Sequence, residues 1–239
     1  MNYRTAFVAT IPERRATLMI ALASIAPQVD WINIMFNGWD HDDARDVCME
    51  LLDSGVTNFT PHLLDNSLKD GAKFLHADAA LGYVVICDDD IEYPSDFVDK
   101  MISAVEQYER KAVVTVMGKV MKPRPIASYY KDFAIAFRTF ESLEQDTNCE
   151  IIGTCGTVYH HDTCPDLNHT FFTGVNSDIY MSKYCKKRNI PGVVVAHEGA
   201  WLRNLMPSLP EGSPTIFDAY CDNDKEITDV VNQFLCTER

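Results

Sequence analysis

Several things are scarce in this 239-residue chain. No apolar run approaches the roughly 20 residues that a helix needs to cross a membrane. The N-terminus lacks the apolar core of a secretory signal. Together these absences lead to the expectation of a cytoplasmic product without a membrane span. Positive charge is short as well: 21 Lys and Arg stand against 35 Asp and Glu, a net charge of −14. That balance argues against a surface broadly adapted to polyanions. The eight cysteines (Cys48, Cys87, Cys149, Cys155, Cys164, Cys185, Cys221, Cys236) show no paired spacing. Without an export signal they read as reduced thiols, mostly buried. Repeats, low-complexity tracts and convincing linkers are missing too. One domain over residues 1–239 is the expectation, although the length would also allow two small ones.

What the chain does have is an apolar run that ends in acid. Tyr83-Val84-Val85-Ile86-Cys87 leads straight into Asp88-Asp89-Asp90, and Pro94 follows. A continuous apolar run bounded this way reads as a strand buried on both faces of a mostly parallel sheet. Open α/β sheets bind ligands at the carboxyl ends of their strands. Three adjacent carboxylates there repel one another unless a cation sits among them. Oxygen ligands suit Mg²⁺ or Mn²⁺, with substrate phosphates completing the shell. A solvated acidic turn is the alternative reading.

Around that run the pattern alternates. Thr5–Thr10 reads as a strand, and Pro12 fits the first position of the helix that follows, with Leu18, Leu22 and Ile25 on one face. Residues 31–36 form a second expected strand, closed by Asn37-Gly38. A helix over 42–52 and a strand over 58–64, weakened by Pro61, come next. The polar stretch 65–73 is expected to open into a helix over 74–81. After the acidic strand, Phe97, Met101, Val105 and Tyr108 mark a helix. Strand and helix in this order imply right-handed crossovers.

Beyond a strand expected over 112–121 the alternation breaks. A strand is expected over 134–140, and another over 151–159, interrupted by Gly153 and Gly156. Glycine within a strand often marks close approach by a ligand or another backbone. Asn176-Ser177-Asp178 is expected to cap a helix running to Arg188. Residues 193–196 form a short strand delivering His197. Ile227, Val230, Val231 and Phe234 mark a last helix. From Arg110 to Arg138 lie seven basic residues and one acid, Asp132. A solvated face explains them; a phosphate-bearing ligand is the alternative.

Taken in order, these pieces resemble a glycosyltransferase of the GT-A fold, similar to the family 2 enzymes, over residues 4–202. Asp88-Asp89-Asp90 matches the family's DxD motif. Residues 8–15 echo its first strand and turn, and Asn37 echoes its base-contacting position. Gly71-Ala72-Lys73 is similar to its Gly-x-Ala-Arg segment, with Lys for Arg. Gly153-Thr154-Cys155-Gly156 stands where the family has an acceptor-side loop. Ser177-Asp178 keeps only the second half of its Glu-Asp pair, and His197 matches a C-terminal histidine.

The resemblance implies an α/β domain whose half 1–121 binds a nucleotide-sugar, a UDP-sugar foremost. The half 122–239 would then form the acceptor side and the C-terminal helix. It implies inverting transfer to a hydroxyl of a glycan, protein or lipid, with Mn²⁺ or Mg²⁺ on Asp90, Asp88 and His197. Thr10, Ile11, Pro12, Arg14, Asn37, Asp65, Lys73, Asp88 and Asp89 would meet the donor. Gly153, Thr154, Cys155, Gly156 and Trp201 would meet the acceptor. Asp178 would be the base, although an acid at a helix N-terminus fits it equally well. Trp201 fits a buried anchor, and His197 a plain hydrogen-bonded residue, as readily.

Three rivals remain. The acceptor could be a modified base of viral DNA, for which the basic stretch is the one supporting feature. A nucleotidyltransferase would carry a glycine-rich first turn, and residues 10–15 have no glycine. A zinc-stabilised binding module could draw on Cys149, Cys155, His160, His161, Cys164 and His169, which lack knuckle or finger spacing.

Overall fold

The computed structural model describes residues 2–210, 212, 213 and 215–236. The first strand, β1 (Arg4–Thr10), is buried and runs through a short 3-10 turn at Pro12–Arg14 into α1 (Arg15–Ile25). Leu18, Leu22 and Ile25 are fully buried, each worth about 1.5–3 kcal/mol relative to exposure. β2 (Trp31–Asn37) follows, and Gly38 takes the left-handed conformation (φ 69°) that turns the chain into α2 (His41–Asp53). β3 (Phe59–Leu64) lies on the edge of the sheet, which is where a strand containing Pro61 is tolerated.

Between β3 and β4 (Tyr83–Asp88) the expected helix over 74–81 is absent. Two 3-10 turns, Lys69–Phe74 and Ala77–Ala79, take its place, with His76 left-handed between them. Tertiary packing overrides local propensity here. Gly71 lies so close to Phe172 that a Cβ would sit 2.7 Å from it. Phe74 stacks on the same ring, with centroids 3.9 Å apart.

After β5 (Ile91–Glu92), α3 (Phe97–Gln107) buries Phe97, Met101 and Val105, with Tyr108 half-buried just past its end. The expected strand over 112–121 divides into β6 (Val113–Thr115) and β7 (Gly118–Met121), which join different sheets. β8 (Phe133–Phe137) pairs with β7, and β9 (Thr147–Cys149) follows. The expected strand over 151–159 divides in the same way, into β10 (Ile151–Ile152) and β11 (Gly156–His160). Close backbone approach is the reason: Gly153 N donates to Met117 O at 2.9 Å. Thr115 Oγ1 donates to Gly153 O at 2.7 Å.

The chain then forms α4 (Ser177–Arg188), β12 (Gly192–Val194), β13 (Arg203–Asn204), α5 (Ile216–Tyr220) and α6 (Lys225–Cys236). The large sheet has the order β3-β2-β1-β4-β11-β6-β12-β9. It is mixed. β3, β2, β1 and β4 are parallel, whereas β11 is antiparallel to both β4 and β6. α6 packs Ile227, Val231 and Phe234 against Met121, Ile126, Tyr129 and Ile179 in a separate cluster. Cys87, Cys155, Cys164 and Cys185 are buried thiols, while Cys48, Cys149 and Cys221 are half-buried. The Cys236 side chain lies outside the described residues. Among the described residues no helix is long and apolar enough to cross a membrane.

Candidate active site

Parallel pairing brings four strand ends to one edge. Ala9 lies opposite Asp88, Thr10 opposite Phe36, and Asn37 opposite Leu64. Thr10, Asn37, Asp65 and Asp88 therefore share the carboxyl edge of the sheet. The 65–73 segment closes over it, since Asn37 Nδ2 donates to Lys69 O at 2.9 Å. Asn37 Oδ1 is buried and, among the described residues, has no hydrogen-bond partner. Asp65 is exposed and accepts from Ser67 N at 3.0 Å.

The acids differ in surroundings. Asp88 is half-buried and accepts from Lys73 Nζ at 2.6 Å. Asp89 is buried, and burial together with neighbouring Asp90 pushes its pKa up to about 8, against the pull of Thr10 and Arg14. Burial and Asp88 push Asp90 up to about 6, with Arg14 opposing, its Nη1 3.5 Å from Asp90 Oδ2. Arg14 is itself buried beneath Met206. Ile11 is half-buried and Pro12 exposed beside it.

A hydrogen-bonded line leaves this cluster. Burial works against the Lys73 charge, but Asp88, Asp70 and Asp178 outweigh it and hold its pKa above the ordinary lysine value. Lys73 Nζ also donates to Thr154 O at 3.1 Å. Thr154 in turn donates its N–H (2.8 Å) and hydroxyl (2.7 Å) to Asp178 Oδ1. Burial raises the Asp178 pKa, opposed by Lys73 and Thr154. One lysine and one threonine thus tie the acidic cluster to the candidate base.

Asn176 does not cap α4 through its side chain; it sits at φ 73°. Asp70 takes that part, accepting from Asn176 N at 3.2 Å and Ser177 N at 2.5 Å. The sequence reading passed over Asp70, whose one signal was its place in the polar stretch before Gly71. Tyr93 was missed as well. Its hydroxyl accepts from Asp88 N (2.9 Å) and donates to Cys155 O (2.7 Å), bracing the end of β4.

No protein-family model matches the chain, and no curated protein matches it by sequence. Solved structures do match it in shape. The crystal structure of GalNAc-T7 with UDP, GalNAc and Mn²⁺ overlays 89% of this chain and 45% of its own, at 9% identity and a TM-score of 0.63. S. aureus TarS 1-349 overlays 83% of this chain and 59% of its own, at 11% identity and TM-score 0.53. The 4-diphosphocytidyl-2C-methyl-D-erythritol synthase of Anaerococcus prevotii overlays 98% and 96%, at 12% identity and TM-score 0.50. The fold is GT-A-like. The chain spans about half the length of the first neighbour and under two-thirds of the second.

Several other expected site residues are engaged by the protein's own contacts. The buried His197 ring bonds through Nδ1 to Val195 O at 2.7 Å; its buried Nε2 has no partner among the described residues. Among those residues no three His, Cys, Asp or Glu side chains gather into a ready metal cage. Trp201 is held as an anchor: Nε1 donates to Asp96 Oδ1 at 3.0 Å, and the ring lies 5.6 Å from Phe97. Gly153, Thr154, Cys155 and Gly156 are all buried. A Cβ on Gly153 would meet Met117 O at 2.8 Å, and one on Gly156 would meet Val116 at 2.9 Å. These glycines answer to the protein's own packing.

Two of the zinc candidates are engaged in other contacts. Cys155 Sγ pairs with Thr139 Oγ1, and His160 packs edge-on to Tyr83. The basic stretch is largely paired with carboxylates, most of them from outside it: Arg110 pairs with Glu106, Lys111 with Glu109, Lys122 with Asp132, Arg124 with Glu150, and Arg138 with Glu141. A groove of about 510 Å³ sits away from the acids, lined by Tyr3, Thr5, Trp31 and Leu81.

Proposed function

We propose that the chain moves a sugar from a nucleoside diphosphate donor to an acceptor hydroxyl, with residues 1–121 as the donor half and 122–239 as the acceptor half. The observation that carries this reading is the line Asp88–Lys73–Thr154–Asp178 on a GT-A-like sheet. It joins a cluster suited to a diphosphate and its cation with a carboxylate suited to deprotonation. A uridine donor is supported by Asn37, whose bare Oδ1 can accept from a base that presents an N–H, as uracil does. GalNAc-T7 was crystallised with UDP, GalNAc and Mn²⁺, which suggests the same donor class and ion.

The residues present fit a divalent cation. Asp88 and Asp90 are hard oxygen donors that disfavour each other's charge, and burial sharpens the conflict. A site with few protein ligands leaves positions for phosphate oxygens. When bound, the ion supplies Lewis-acid neutralisation of the departing diphosphate. Arg14 and Lys73 add fixed positive charge beside it. Asp178 takes the acceptor hydroxyl proton as the new C–O bond forms and the bond to phosphate breaks, inverting the anomeric carbon.

The test is a thermal-shift panel of UDP-, GDP-, CDP- and dTDP-sugars with Mn²⁺. A ligand at a hundred times its dissociation constant stabilises by about 2.7 kcal/mol. UDP-sugars should give the largest shift, and no shift with any of them would sink the proposal. The nearly complete mutual overlay with the cytidylyl-type synthase keeps a nucleotidyltransferase reading in play. A larger shift with a nucleoside triphosphate than with any nucleotide-sugar would favour it.

A further inference from the structure

Within electrostatic reach of Asp178 lies a cation that the proposed reaction does not use. Lys119, on β7, is half-buried, with Nζ 3.9 Å over the Tyr129 ring, 5.1 Å from Tyr130 and 5.7 Å from Phe133. Among the described residues its ammonium has no ion pair within 4 Å and donates no hydrogen bond. The two acids that act on it, Asp178 and Asp224, lie beyond ion-pair distance and each has one oxygen engaged by other donors. Asp178 Oδ1 holds Thr154, and Asp224 Oδ2 holds Ser128 Oγ at 2.7 Å and Tyr130 N at 3.1 Å. Aromatic faces attract the cation but satisfy none of its three N–H donors. A partly buried charge in that condition calls for a counter-anion. Burial accordingly lowers its pKa, with Asp178 and Asp224 opposing.

The surroundings suit a sugar. Tyr130 is half-buried, its hydroxyl accepts from Asn176 Nδ2 at 3.3 Å, and it meets the exposed Phe217 edge-on. The aromatic shelf thus begins beside the turn that precedes Asp178. We infer that Lys119 is an acceptor-binding residue, and that the acceptor carries an anionic group, carboxylate or phosphate, next to the hydroxyl that receives the sugar. Only the word acceptor rests on the glycosyltransferase reading; an anion site at Lys119 stands or falls by itself.

The test measures binding to the full chain, with UDP and Mn²⁺ present, of methyl glucuronide, glucose 6-phosphate and methyl glucoside. Ligand-observed NMR would follow the wild type, Lys119→Gln and Lys119→Arg. Hydrogen bonds to a charged group imply about tenfold or greater preference for the anions over methyl glucoside. That preference should vanish in Lys119→Gln and persist in Lys119→Arg. Whichever anion binds tighter identifies the group. Equal binding of all three by the wild type overturns the inference, as does a preference that survives Lys119→Gln. If Lys119→Gln does not fold, the wild-type comparison with Lys119→Arg still decides, since a wild type without preference refutes the site. Calorimetry of UDP with Mn²⁺, without any sugar, runs in parallel. UDP binding without anion preference leaves the donor reading standing and removes this one; anion preference without UDP binding does the reverse.

Discussion

Asp90 and Asp178 both lie within electrostatic reach of Lys73 but are asked to do different things, so their loss should be felt differently. Asp90→Ala removes a carboxylate from the cation position and should weaken UDP-sugar binding and transfer together. Asp178→Asn keeps an oxygen for Thr154 and should leave donor affinity nearly intact while turnover falls by roughly 10²–10⁴. Calorimetry and turnover on the two variants check this; normal turnover in Asp178→Asn would put the base elsewhere. Asp89 adds a pH dependence. A carboxyl with a higher pKa in the folded chain than in the unfolded one favours folding in its protonated form. Its contribution is full below about pH 4 and is lost as pH rises through about 8 for Asp89 and about 6 for Asp90. Asp89→Asn should therefore raise the melting temperature of the metal-free protein at pH 8, by a gain on the order of a few kcal/mol. It should change little at pH 4. Calorimetric melts across that range would show an unchanged difference if Asp89 were an ordinary surface acid.

At the scale of elements, the N-terminus of α4 is a joint between segments far apart in the chain. Its first N–H groups are satisfied by Asp70, more than 100 residues earlier in the chain. Such a contact positions Asp178 relative to Lys73 as well as stabilising a helix. Asp70→Ala should cost about 1–2 kcal/mol in stability and, by shifting Asp178, lower turnover per folded molecule. A variant that melts early but turns over normally would reduce Asp70 to a cap alone. Tyr93 is a second joint of this kind, tying the backbone of β4 to that of the 153–156 segment. Both joints bridge elements that no local pattern connects.

Over the whole molecule, charge argues against a nucleic-acid acceptor. The net charge is −14, and the stretch 110–138 spends most of its cations on neighbouring carboxylates. With most of its cations committed in this way, that stretch offers little counterion release to drive DNA binding. Single- and double-stranded DNA should show unaltered mobility with this protein at low salt. A retarded complex that dissolves with added salt would revive the modified-base acceptor.

Read by itself, the sequence determined whatever depends on nearest neighbours and periodicity. β1 through β3, α1, α2, the acidic strand and α6 all followed from apolar runs or 3.6-residue stripes such as Leu18, Leu22 and Ile25. The grouping of Thr10, Asn37 and Asp88 at one edge also followed, because parallel strands must end together. Tertiary structure decided what depends on distant partners. Phe172 unmade the helix expected over 74–81 by packing on Gly71 and Phe74. Met117 split two strands at Gly153, and the antiparallel β11 turned the sheet mixed. Asp70, Tyr93 and Lys119 gained their roles in the same way, from contacts across the fold. Local pattern carries no information about such contacts, since each is set by the closure of the chain on itself rather than by spacing along it.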